Sequence, residues 1–195
     1  MMKRLLYILF LLCPTLLFAD ALTDCFAQLE KRTLRTDFAV TAQADATQPM
    51  TYSGSITMQG DKFVVSIMDM AVAYDGKTLY TYDESNNELT LSQPTFDELT
   101  EVNPLLFARA IMYNSERTVS DQGDTYKITL VPYEKNAGVQ SFVLMLRKSD
   151  LMPLSAIMKE TVSKQTTLKL LNPQFVTEAP SYSIRKEGAY INDLR

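Results

Sequence analysis

From Leu34 onward the chain alternates apolar and polar side chains in short runs that break at turn-forming residues. A period of two admits strands and excludes helices over most of the length. Phe38, Val40 and Ala42 share one face of "TDFAVTAQ", Ile56 and Met58 one face of "SGSITMQ", and Phe63, Val65 and Ile67 one face of "KFVVSI". The stretch "AYDGKTLYTYDESNNELTLSQP" reads as three strands joined by two tight turns: Asp75-Gly76 and Asn86-Asn87 tolerate positive φ, and Pro94 stops the run. The same alternation returns in "TYKITLVPY", "SFVLMLRK", "PLSAIMKE" and "TTLKLL". Turns are expected at Asp121 to Asp124, at Asn136-Ala137-Gly138 and at Ser149-Asp150.

Two segments break this period. Thr23 is placed to cap a first helix running to about Thr33, with Leu22, Phe26 and Leu29 on one face. In the middle of the chain, Thr95 with Glu98 makes a capping box, and Asn103-Pro104 restarts a second helix that runs to about Tyr113. Leu105, Leu106, Phe107, Ile111 and Met112 leave that helix apolar on nearly every side, with Arg109 its only charge, so it must be covered on nearly every side. About ten strands, one helix before them and two in the middle predict a mainly β (α+β) single domain built on one curled antiparallel sheet. The middle helix belongs inside the curl, as a lid.

The N-terminus follows a different logic. Lys3 and Arg4 precede an apolar run from Leu5 to Leu12, and Ala19 and Ala21 make a small-x-small cleavage site, so residues 1–21 read as a secretory signal peptide and 22–195 as the mature domain. The apolar run is shorter than the roughly 18 to 20 residues that span a bilayer. Leu12 is too bulky for a lipidation site at Cys13. The expected location of the mature chain is the periplasm. Only Cys25 survives processing, beside Phe26 on the first helix, where a small buried hydrophobe is the simpler reading than a reactive thiol.

The whole chain carries 19 basic and 23 acidic side chains. Losing Lys3, Arg4 and Asp20 leaves 17 against 22, a net charge of −5, with no basic cluster; a nucleic-acid partner is not expected. There is no histidine, which excludes Ser-His-Asp and Cys-His catalysis and removes the commonest metal ligand. Asp83-Glu84 falls in a hairpin turn and Asp97-Glu98 in a first helical turn, where acids favour the helix dipole rather than acting as paired catalytic carboxylates. "DGKT" lacks the spaced glycine of a phosphate loop. The reading is a non-enzyme that needs no cofactor and acts as a monomer.

What remains is apolar surface. Eight methionines outside the leader (Met50, Met58, Met68, Met70, Met112, Met145, Met152 and Met158) supply unbranched side chains that repack around irregular ligands. With a curled sheet and an apolar helix, they suit a cavity for lipid or an acyl chain. The candidate lining is Phe38 and Val40, Ile56 and Met58, Phe63, Val65 and Ile67, with Leu79, Leu144 and Leu146; the candidate lid is Leu105, Leu106, Phe107, Arg109 and Ile111. Parity fixes which of these share a face, but not which face looks inward.

The first helix, "DFAVTAQ", "SGSITMQGDKF", "AYDGKTLYTYD", "NPLLFARAI" and the closing "YINDLR", in that order, resemble the bacterial outer-membrane lipoprotein carrier (LolA-type) family. The resemblance implies an unclosed barrel of about eleven antiparallel strands with a helical lid. It also implies a chaperone that receives acylated lipoproteins from an inner-membrane lipoprotein-releasing transporter and passes them to an outer-membrane acceptor. Such carriers have an arginine before the "DKF" turn that bonds to lid backbone, where this chain has Gln59-Gly60, and tryptophans where it has Val64, Val65 and Tyr80. Arg109 is then expected to lock the lid by bonding to carbonyls at the barrel rim. Two other readings use the same fold: an envelope sensor or regulatory domain with a protein partner, and a binding protein for another lipid or amphiphile.

Overall fold

The structure is a computed structural model describing residues 20–43, 48–134, 138–160, 164–178 and 180–195. The expected leader lies outside the described residues except for Asp20 and Ala21, and the turn at Asn136-Ala137-Gly138 except for Gly138. Helix α1 spans Asp20–Lys31. It begins before Thr23, which lies within the helix and so is not its N-cap; Ala21 and Leu22 already belong to its buried stripe with Cys25, Phe26 and Leu29. Thr33, expected as the helix's last residue, opens the first strand.

The first group of strands is β1 Thr33–Gln43, β2 Met50–Gln59, β3 Lys62–Ile67, β4 Met70–Tyr74, β5 Leu79–Asp83 and β6 Glu88–Ser92. Helices α2 (Phe96–Val102) and α3 (Pro104–Ile111) follow, then β7 Ser115–Asp121, β8 Thr125–Pro132, β9 Val139–Arg147, β10 Pro153–Glu160, β11 Gln165–Val176 and β12 Tyr190–Asp193. All twelve form one sheet in the order β12-β6-β5-β4-β3-β2-β1-β11-β10-β9-β8-β7, which does not close into a barrel. This is the unclosed, lidded β architecture the sequence predicts, with two differences. Among the described residues the strands number twelve, and β12 pairs with β6 in parallel, because the chain reaches it by a long return from β11 and not by a hairpin.

The topology explains the helices. The chain starts mid-sheet at β1, meanders to β6, and resumes at β7 on the opposite edge before meandering back to lay β11 beside β1. A connection between opposite sides of a curled sheet has to cross its inner face, and α2 and α3 are that connection. The β1–β11 seam pairs Thr33 with Val176 and Gln43 with Gln165 across an irregularity at Thr36, whose buried hydroxyl donates to the carbonyls of Asp37 and Leu171.

One core joins the inner face to all three helices: Leu34, Phe38, Met58, Phe63, Ile128, Phe142, Leu144 and Leu146 pack with Leu22, Phe26, Leu99, Leu105 and Leu106. Gly54 is required beneath it, since a Cβ there would lie 2.3 Å from the Ser66 carbonyl oxygen and 2.7 Å from Cζ of Phe38. A smaller cluster covers the outer face of the β4–β6 hairpins. There Tyr82, Leu89 and Leu91 pack under Ile184 and Ala189 of the C-terminal segment, and Lys186 Nζ sits 4.8 Å from the Tyr82 ring centre.

Candidate functional site

The second half of the helical crossing is built to lie on the sheet. Asn103 accepts the Leu105 N–H on its side chain at 3.0 Å while its own N–H closes the end of α2 on the Leu99 carbonyl. Pro104 fills the first helical position, where no N–H is needed. The capping box expected at the start of α2 is present: Glu98 accepts from the Thr95 backbone N–H at 2.7 Å, and Thr95 Oγ1 accepts from the Glu98 N–H at 3.3 Å. Leu105, Leu106 and Ala108 of α3 are buried, whereas Phe107 and Ile111 are half-buried, and the Phe107 ring meets Phe142 of β9 at 5.8 Å between centres.

An apolar cleft of about 330 Å³ opens between the crossing helices and the β9–β11 wall. Pro104 and Phe107 form its helical side; Val139, Phe142, Ala156, Met158 and Leu168 form the wall, and Asp97 and Glu101 stand on the rim.

Every predicted lining and lid residue except Arg109 belongs to the inner-face core or packs against it. Phe38, Ile56, Met58, Phe63, Leu144, Leu146, Leu105 and Leu106 are filled-in core, and Val40, Val65, Ile67, Leu79, Phe107 and Ile111 are half-buried around it. Parity is resolved by β5: Leu79 looks inward and Tyr80 and Tyr82 outward. Of the predicted residues only Phe107 borders the cleft. Sequence reasoning left out Phe142, Ala156, Met158 and Leu168 as lining residues. Their alternation was visible, but what selects them is where α3 crosses. Of the methionines, Met58, Met112 and Met152 are buried core, Met158 borders the cleft, and Met50 and Met68 are exposed.

The sequence leads one to expect Arg109 to bond to carbonyls at the barrel rim; the structure instead gives it carboxylate partners. Its guanidinium reaches two carboxylates, Glu30 on α1 and Asp61 in the β2–β3 turn. The turn is shaped for this. Gly60, at φ 58°, donates its N–H to the Leu29 carbonyl at 2.8 Å, and a Cβ there would meet Oε2 of Glu30 at 2.8 Å. Glycine therefore lets the end of α1 sit against the turn, with both acids facing the one cation of α3. Gln59 adds a hydrogen bond from its amide to the Glu30 carbonyl at 3.5 Å.

Residues 33–162 match the family model described as outer membrane lipoprotein carrier protein LolA. The chain belongs to the LolA family. Among solved structures, an uncharacterized conserved protein from Thermus thermophilus superposes with a TM-score of 0.61 at 11% identity, over 90% of this chain and 98% of that one. The MucA/MucB complex of Pseudomonas aeruginosa gives 0.50 at 12% identity, over 84% and 58%. A LolA superfamily protein from Nitrosomonas europaea gives 0.48 at 10% identity, over 86% and 98%. At these identities the likeness is one of fold. No curated protein matches the chain in sequence. In this chain the cation of the ion pairs sits on the crossing helix, and its two anions on α1 and the β2–β3 turn.

Proposed function

We propose that this LolA-family protein is a periplasmic chaperone that takes up the acyl chains of lipoproteins and carries them from the inner to the outer membrane, with residues 22–195 as its working domain. The observation that carries the reading is the apolar cleft beneath α3, continuous with the core and roofed by the half-buried Phe107. Exposed acyl chains cost about 0.8 kcal/mol per methylene in water, so a soluble intermediate has to cover them. It also has to release them. A helix that leaves the inner face to admit a chain, and returns when the chain departs, competes for the same surface and keeps net affinity transferable.

In this reading α3 is the lid, the core residues beneath it become lining as it lifts, and Arg109 is its latch. The latch links α3 to α1 and to the β2–β3 turn at their exposed edges, where such pairs contribute only about 0.2–1 kcal/mol each. That strength suits a catch that holds and yields.

The test is mass spectrometry of what accompanies the mature protein purified from its native envelope without detergent. Triacylated lipopeptides or intact lipoproteins are expected. A different lipid would move the function to that ligand. A stable envelope protein in place of lipid would favour the sensor reading.

A further inference from the structure

Among the described residues the rim of the cleft carries charge of one sign. Asp97 and Glu101 lie one turn apart on α2, both exposed, and both border the opening; no Lys or Arg is among the described residues that line it. The third acid of that helix, Glu98, is turned back onto Thr95 N–H and Oγ1. Neither Asp97 nor Glu101 is in an ion pair among the described residues. A site for anionic lipids would pair the head group with a cation. This one places two carboxylates at the helical edge of the opening, beside the head group of a tail that lies against Phe142 and Leu168.

Size adds a second constraint. An apolar cavity of about 150 Å³ holds one benzene, so a cleft of about 330 Å³ holds roughly a dozen carbons, which is a single chain and not a whole lipid. We infer that, with α3 down, the cleft takes one acyl tail whose head is uncharged or cationic, and discriminates against free fatty acids and anionic phospholipids. An ester- or amide-linked acyl chain has no charge at its own head, so acylated protein termini pass this filter while the bulk anionic amphiphiles of a membrane do not. The inference rests on the carrier reading and names its ligand class.

Three amphiphiles with one tail and different heads test it: dodecyl maltoside, dodecyltrimethylammonium and dodecanoate, each below micelle formation at pH 8, titrated calorimetrically into the mature protein. Two unpaired carboxylates within contact distance of an anionic head should weaken dodecanoate by about tenfold relative to the same tail on a neutral head at low salt, with the gap closing near 1 M salt. In the Asp97→Asn/Glu101→Gln double variant, with folding checked by thermal melt, dodecanoate should recover while dodecyl maltoside is unchanged. Dodecanoate binding the native protein as tightly as dodecyl maltoside at low salt, or failing to recover in the variant, would overturn the charge filter and leave the carrier reading intact. Failure of all three to bind the folded protein would overturn both.

Discussion

Helices α1 and α3 both cover the inner face of the sheet, yet they are attached to it in different ways. Helix α1 is amphipathic: one stripe, from Ala21 to Leu29, is buried, and Thr23, Asp24, Ala27, Glu30 and Lys31 face water. Its C-terminal end is tied down by hydrogen bonds and packing as well as by the ion pair of Glu30 with Arg109. Gly60 N–H goes to the Leu29 carbonyl, Gln28 Nε2 to the Asp150 carbonyl at 3.2 Å, and the Arg32 guanidinium lies 3.9 Å from the Phe175 ring centre. Helix α3 is apolar nearly all round: it buries Leu105, Leu106 and Ala108 in the same core, leaves Phe107 and Ile111 half-covered, and adds one arginine held between two exposed acids. In the proposed reading the difference separates a plug from a lid: burial fixes both helices, and the second also depends on a contact that water and salt can replace.

The largest effect should come from emptying the plug. Leu29 is buried, and Leu29→Ala is expected to cost about 2–5 kcal/mol, read from the shift in urea midpoint at constant slope. Affinity per folded molecule should be unchanged; an equal loss of amphiphile binding would make α1 part of the site and collapse the distinction.

Cys25 reports on the same helix without perturbing it. Burial pushes its thiol up to about 12, so at pH 8 a thiol reagent should label it only as fast as the protein unfolds. Rapid labelling of the folded protein would show that α1 moves as readily as α3.

Arg109→Ala should do the reverse of Leu29→Ala. Stability should fall by about 1 kcal/mol or less, since both carboxylates are about half exposed, but amide exchange in α3 should accelerate while that in α1 stays slow. High salt should reproduce part of the effect in the unmutated protein. Unchanged protection of α3 would remove the latch.

The smallest effect lies away from both helices and serves as a control. The Arg195 side chain, and then its backbone N–H, hold the Asp193 carboxyl down to about 2. A lowered pKa contributes stability above the ordinary carboxylate range and loses it as pH falls from about 4 towards 2. An NMR titration should therefore show the end of β12 responding in that window, with α1 and α3 unaffected by this group.

The part of this comparison that was legible in the sequence is the local part. Strand period, the Asp75-Gly76 turn, the Thr95–Glu98 box and the Asn103-Pro104 start are set by residues within a few positions of one another, and each formed where expected. The apolar excess of α3 also announced that something must cover it. What stayed hidden depends on residues far apart in the chain. Arg109 finds partners 79 and 48 positions away, and no local signal distinguishes an acid that will face it from one that will face water. The cleft wall was hidden for the same reason. Phe142, Ala156 and Leu168 alternate like any buried strand residues, and only the path of the crossing helix decides which of them border open space.

The seam between β1 and β11 has a consequence for how the molecule comes into being. Thr33, near the start of the sheet, is paired with Val176, near its end, so the central strand stays half-paired until almost the whole chain is available. Contacts this distant in sequence are slow to form, because the loop must close before any pairing rewards it. During that interval β1 offers an unsatisfied edge, with Phe38 and Val40 on a face not yet enclosed. A protein proposed to shield the greasy parts of others therefore begins as a chain that needs shielding itself.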